Sequence, residues 1–259
     1  MTRSNFDLKE EVRAYWSARA TTFDHSPAHQ IEDRFGMPQW QKLIQTAAGL
    51  DAAETMEGLN VLDLACGTGE ISRVLCSLGA TVTGLDFSED MLAQARSKLE
   101  DARWTPLLCD AEDLRSIADE SVDFAITRHL AWTLTNPQAA FAEWHRVLKP
   151  GGRLLINDGN WQQDLSLRYR LKRKLAHWLQ PEVARSEAEV AADRSIWSQL
   201  PFKDGLSAEV LTDMLQSAGF TLVQRLDPSP LYAQGMKAWP LAVRLRQSSE
   251  NRFSLVFVK

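Results

Sequence analysis

A chain of 259 residues with 29 Lys and Arg against 34 Asp and Glu carries a formal net charge of −5, and 44 % of it is hydrophobic. Such a mix excludes disorder and supports a full core, and at roughly 150 residues per domain the length suits one ordinary α/β domain. The mild acidity speaks against a surface built to coat nucleic acid, and no run reaches the roughly 18 apolar residues of a membrane span.

The start, Met1 to Asp7, has no apolar core of a secretion signal. Cys66, Cys76 and Cys109 fit neither a disulfide framework nor a zinc pattern. The expectation is a cytoplasmic protein with no membrane, metal or nucleic-acid partner.

Taken in chain order, residues 1–55 read as helical. Asp7-Leu8-Lys9-Glu10 has the form of a capping box. Behind it Leu8, Val12, Tyr15 and Trp16 make one apolar stripe, and Trp40, Leu43, Ile44 and Ala47 make a second after Gly36 and Pro38. Neither helix is stable alone, so both are expected to pack on the strands and helices C-terminal to them.

From residue 59 strands and helices alternate. Leu59–Leu64 reads as a strand, followed by a helix to about Leu78 that Gly79 closes. Thr81–Leu85 is β-rich, and Ser88 caps a helix through Leu99. Thr105–Cys109, Val122–Thr127 and Arg153–Asp158 are further strands, with a helix from Pro137 to Leu148 before the turn Pro150-Gly151-Gly152. Residues 160–205 break the alternation, with a helix-prone, basic segment from Asp164 to Leu179 and a stretch opened by Pro181. A helix from Ser207 to Ala218, a strand Phe220–Leu226, a loop Pro228–Pro240 and a last strand Arg252–Val258 complete the chain. The fold class expected is α/β, a doubly wound parallel sheet, with the insertion 160–205 as a cap beside the carboxyl ends of the strands. The division expected is a helical lid over 1–55 and a main domain over 56–259.

Gly67-Thr68-Gly69 sits between the first strand and its helix, where glycines let a ligand approach the main chain. No Lys-Ser/Thr pair follows, so a P-loop is excluded. A dinucleotide loop has some support from Asp86, 17 residues past Gly69. Asp63 argues against it: a carboxylate four residues before Gly67 repels a pyrophosphate and favours a cationic ligand, such as the ammonium and sulfonium of S-adenosylmethionine. Asp86 and Asp110 end the next two strands, placed for a ribose and for an adenine amino group, with the Ala111 N–H near a ring nitrogen.

Val61-Leu62-Asp63-Leu64-Ala65-Cys66-Gly67-Thr68-Gly69 resembles the first motif of class I S-adenosylmethionine-dependent methyltransferases. Gly84-Leu85-Asp86-Phe87-Ser88-Glu89-Asp90-Met91-Leu92 resembles their second, Cys109-Asp110-Ala111-Glu112-Asp113-Leu114 their third, and Arg146-Val147-Leu148-Lys149-Pro150-Gly151-Gly152 their turn into the fifth strand. Ala65 stands where many members have glycine. The resemblance implies a seven-stranded sheet with an antiparallel last strand. It also implies a cofactor site of Asp63, Ala65, Gly67, Gly69, Asp86, Phe87, Met91, Asp110, Ala111 and Glu112, joined by Arg128 and, from a lid helix, by Tyr15 and Arg19.

For the acceptor, His129 after the fourth strand is the candidate general base, since an imidazole titrates near neutrality. Trp132, Asp158, Trp161 and His25 are candidate substrate contacts, and His29 lies near the entrance. The reading is methyl transfer to an O, N or S atom of a small molecule by a possible homodimer. Two alternatives stay open: an RNA or protein methyltransferase docking through the basic helix 168–174, and a module that binds the cofactor without transfer.

Overall fold

The computed structural model describes residues 5–100, 102–160, 167–180 and 193–259. Its elements run α1 (Asn5–Ser17), a 3-10 turn (Ala20–His25), α2 (Gly36–Ala48), β1 (Asn60–Leu64), α3 (Glu70–Ser77), β2 (Thr81–Asp86), α4 (Glu89–Lys98), β3 (Trp104–Leu108) and β4 (Val122–Arg128). A second 3-10 turn (Ala131–Thr133) leads to α5 (Pro137–Val147), β5 (Leu148–Gly159) and α6 (Leu167–Leu179). After the insertion come α7 (Ala208–Ser217), β6 (Thr221–Leu226), α8 (Ser229–Ala233), α9 (Leu241–Gln247) and β7 (Arg252–Val258).

The seven strands form one sheet in the order β3-β2-β1-β4-β5-β7-β6. The first five pair in parallel, and β7 inserts antiparallel between β5 and β6. Side-chain alternation along the strands builds two cores. Leu62, Leu64, Ala125, Leu154, Ile156 and Phe257 face α5 and α7, around the fully buried Trp144. Val61, Val82, Phe124, Ile126, Leu155 and Val256 face α2 and α3. A third, small core joins Leu8 and Val12 of α1 to Ile196 and Leu200, with Tyr15, Trp16, Phe87 and Trp197 against it. The N-terminal helix and the C-terminal part of the insertion thus pack on each other.

Three sequence expectations need correction. The α1 helix is already under way at Asn5, so Asp7 is not its cap, and Glu10 pairs with Arg13 at 2.5 Å instead of folding back. Pro150-Gly151-Gly152 lies within β5, where the pairing with β4 shifts register between Val122 and Phe124. The stretch Pro228–Pro240 is not a plain loop: α8 starts on Pro228, and α9 follows Pro240. Proline fixes the φ angle at a helix's first turn as readily as in a loop, so the two readings share one signal. Of the basic helix expected from Asp164 to Leu179, Leu167–Leu179 is described and helical, and the stretch opened by Pro181 lies outside the described residues.

Candidate active site

The carboxyl ends of β1, β2 and β4 and the start of antiparallel β7 meet at one edge, where open α/β sheets hold ligands. A cavity of about 270 Å³ opens there. Asp63, Ala65, Cys66, Gly67 and Asp86 line it as a floor from β1, β2 and the glycine loop; Arg128, His129, Glu250 and Arg252 line it from β4 and the segment leading into β7; and Trp16, Phe23 and Trp132 add aromatic rings. A smaller hollow of about 40 Å³ adjoins it, lined by Lys9, Asp110, Ala111 and Glu112 and sharing Ala65, Asp86 and Phe87 with the first.

The loop backbone makes the floor. Gly67 and Gly69 have φ of 55° and 83°, and Ala65, at φ 55°, holds the same left-handed conformation with a side chain. That is a strained position for any residue but glycine. Gly67 lines the cavity, whereas Gly69 does not. A Cβ on Gly69 would come within 3.0 Å of Ala95 and Leu99, so this glycine lets α3 and α4 close on each other.

Two carboxylates are buried in the floor. Asp86 accepts from the Gly67 N–H at 3.0 Å and the Ser88 N–H at 2.8 Å. Asp63 accepts from Ser72 Oγ at 2.6 Å, and Ser72 in turn accepts from Trp104 Nε1 at 3.1 Å. Gly84 makes room for that indole, because a Cβ there would sit 2.3 Å from Trp104 Nε1. Burial pushes both carboxyls up to about 6 despite these hydrogen bonds. Neither is ion-paired among the described residues. A cation entering the floor would therefore meet two carboxylates with no ammonium or guanidinium already seated on them.

Apart from Glu250, the lining from β4 and the segment leading into β7 is basic and aromatic. Arg128 is half-buried, donates to the His29 carbonyl at 2.7 Å and lies over Trp40 at 5.4 Å. His129 has φ 63°, a left-handed imidazole residue held by its N–H on the Asn157 carbonyl at 2.9 Å and by Trp132 Nε1 on its own carbonyl at 3.0 Å. Burial pushes His129 well below the usual imidazole range and His29 down to about 4, so both rings are neutral near pH 7. The His29 Nδ1–H donates to the Phe23 carbonyl at 2.9 Å, and its ring stacks on Phe23 at 3.7 Å.

The N-terminal segment reaches the site through contacts that leave no sequence signature. Lys9 bridges Asp110 at 2.5 Å and Glu112 at 2.8 Å. Lys98 bridges Asp24 at 2.5 Å and Glu70 at 2.9 Å, and Thr68 Oγ1 donates to Asp24 at 2.6 Å, clasping the first 3-10 turn to the glycine loop.

Of the residues expected from sequence, Asp63, Ala65, Gly67, Asp86, Phe87, Met91, Arg128, His129 and Trp132 line the main cavity, and Asp110, Ala111 and Glu112 the adjoining one. Tyr15 and Arg19 do not: the Arg19 guanidinium lies 3.4 Å over the Tyr15 ring and pairs with Asp193 at 3.4 Å. His25 is exposed outside the cavity. Asp158 is buried and orders the turn, accepting from Ala131 N–H and Gly159 N–H at 2.8 Å each. Trp161 lies outside the described residues. Sequence reasoning missed Lys9, Trp16, Phe23, Glu250 and Arg252. Among the described residues no cluster is arranged to hold a metal ion.

A family model described as a methyltransferase domain matches residues 62–156, from β1 into β5. The ubiquinone/menaquinone biosynthesis C-methyltransferase UbiE of Desulfotalea psychrophila is 31 % identical over 186 residues, 70 % of this chain and 72 % of that protein. Across the first four curated relatives the matched stretch spans between 33 % and 72 % of their length. Among solved structures, the [4+2]-cyclase SpnF superposes with a TM-score of 0.63 at 18 % identity, covering 96 % of this chain and 94 % of its own. The Haemonchus contortus phosphoethanolamine N-methyltransferase 2 in complex with S-adenosyl-L-methionine also gives 0.63 at 18 % identity, covering 100 % of this chain and 60 % of its own. At those identities the structural likeness speaks for the fold alone.

Proposed function

The chain belongs to the class I S-adenosylmethionine-dependent methyltransferases, and from that premise we propose that it methylates a small, flat acceptor bearing an ionisable group. The observation that carries this reading is the mixed lining of the main cavity, which gathers two buried carboxylates, the Arg128 guanidinium and two neutral imidazoles around one space. The residues fit the cofactor. Asp63 faces the cationic methionine part, Asp86 the ribose, and Asp110 with the Ala111 N–H the adenine. The cofactor supplies a methyl group already activated by the sulfonium.

What the chain contributes is alignment, dryness and a proton acceptor. Trp16, Phe23 and Trp132 keep water from the reacting centre. His129, neutral and fixed by two backbone hydrogen bonds, takes the acceptor's proton, and the Arg128 guanidinium stabilises the resulting anion. An anion of this kind delocalises onto ring carbon as well as oxygen. Relatives named for C-methylation in quinone biosynthesis therefore widen the O, N or S expectation to include carbon.

The test is incubation with S-adenosylmethionine and a panel of hydroxylated aromatic acceptors, reading S-adenosylhomocysteine by mass spectrometry. Methylated product from an aromatic hydroxyl compound is the expected result. Tight cofactor binding in calorimetry with no product from any phenol, but product from amines or thiols, would overturn the acceptor class.

A further inference from the structure

The α6 helix (Leu167–Leu179) presents a face the sheet does not use. Leu167, Leu171, Leu175, Trp178 and Leu179 recur at helical spacing on one side of it and are 72 %, 58 %, 47 %, 79 % and 43 % exposed. The opposite side is the anchored one: Ala176 is fully buried, and Lys172 Nζ donates to Ser248 at 3.3 Å, seating α6 on α9. A helix of 13 residues extends about 20 Å, so this is a continuous apolar strip rather than one stray leucine.

Charge says what the strip meets. Residues 167–180 contain Arg168, Arg170, Lys172, Arg173 and Lys174 and no acid, and neighbouring α9 adds Arg244 and Arg246, again with no acid. These cations are concentrated on two adjacent helices of a chain whose net charge is −5. Arg170 and Lys174, both exposed, flank the strip, where long aliphatic stems allow a charged head to reach phosphate while the leucines go deeper. A second copy of the chain would bring two such basic helices face to face, which like-charge repulsion opposes. RNA would neutralise the cations but leave the leucines and Trp178 without an apolar partner.

We propose that α6 is a surface-docking helix for anionic phospholipid membranes, lying in the interface plane with its leucines and Trp178 inserted. This departs from the expectation of no membrane partner. The lack, among the described residues, of a helix long and apolar enough to cross a bilayer does not bear on a helix that lies along one. The proposal does not depend on which acceptor the enzyme uses.

The experiment is co-sedimentation of the full chain with vesicles of phosphatidylcholine alone and with about 30 % phosphatidylglycerol. The expected result is at least about tenfold stronger partitioning onto the anionic vesicles, weakened by salt. The double variant Leu171→Ser/Trp178→Ser and, separately, Lys174→Glu each reduce it by about tenfold, with the cofactor-induced thermal shift unchanged. Equal binding to both vesicle types, or none to the anionic ones, overturns the proposal. So does a dimer in sedimentation velocity that Leu171→Ser dissolves, or RNA binding that Lys174→Glu abolishes, if vesicles are ignored.

Discussion

The two ends of the cavity are built on opposite principles. At the β1–β2 end, charge is negative and the geometry is backbone: glycine φ angles, N–H groups on Asp86, a hydroxyl on Asp63. At the β4–β7 end, charge is positive and the geometry is side chain: Arg128 over Trp40, His129 held by Trp132, Arg252 at 3.7 Å over Tyr232. The first end is made by local sequence and suits a ligand common to a whole family. The second is assembled from segments more than a hundred residues apart and can be re-specified by changing a few side chains. On the function proposed above, specificity for the acceptor would be set at the second end.

The sharpest way to break that contrast is at His129. Replacing His129 with Gln removes the proton acceptor while keeping a polar side chain, and kcat should fall by about 100-fold or more with cofactor affinity nearly unchanged. Steady-state kinetics beside calorimetry separates the two. An equal loss of cofactor affinity would mean that the imidazole serves the methionine part and not the acceptor. Asp86→Ala should do the reverse. Losing a charged hydrogen-bonding partner weakens cofactor binding by about 1–3 kcal/mol, read by titration calorimetry.

Next in size is Gly84→Ala. The added Cβ drives Trp104 off Ser72 and so loosens Asp63. An overpacking cost of about 1–3 kcal/mol is expected in denaturant unfolding, together with weaker cofactor binding. Loss of stability with unaltered binding would cut the link between that indole and the carboxylate.

The same contrast explains what sequence could and could not reveal. Asp63, Gly67 and Asp86 were legible because each lies within a contiguous motif whose backbone geometry is set by its neighbours. The sheet was legible because alternating apolar strands and capped helices are local patterns. Ser88 and Asn136 cap α4 and α5 through Met91 N–H and Ala139 N–H at 3.2 Å each. Lys9 and Arg252 were not legible, because a lysine on an amphipathic helix and an arginine opening a strand look like solvated surface until distant segments come together. Tyr15 and Arg19 fall under the same rule: the sequence pattern gives the helix, but not the rotation that turns them toward Trp197 and Asp193.

pH sets a milder test of the acidic end. Asp63 and Asp86, raised from 3.8 to about 6 by burial, bind protons in the folded chain that they release in the unfolded one. Between about pH 4 and 6 their contribution to the stability of the bare protein therefore falls as pH rises, because the folded state must ionise two buried groups. Cofactor affinity has the opposite sign, increasing as the carboxylates ionise and levelling off above about pH 7. Thermal melts with and without S-adenosylmethionine should show the ligand-induced shift growing across this range. Parallel curves would show that the two carboxyls are not the cation's partners.

The smallest effect expected is a gain. Ala65 holds φ 55°, a conformation that costs a residue with a Cβ about 1 kcal/mol relative to glycine. Ala65→Gly relieves that strain but also frees the unfolded chain, so the net stabilisation should be a few tenths of a kcal/mol up to about 1 kcal/mol. Chemical denaturation resolves a change of that size. Because the loop's N–H groups already hold Asp86 in place, cofactor affinity should stay within about twofold. A larger change in affinity would mean that the alanine methyl, which lines the cavity, itself touches the ligand. The negative end of the site would then be tuned by a side chain after all, as the positive end is.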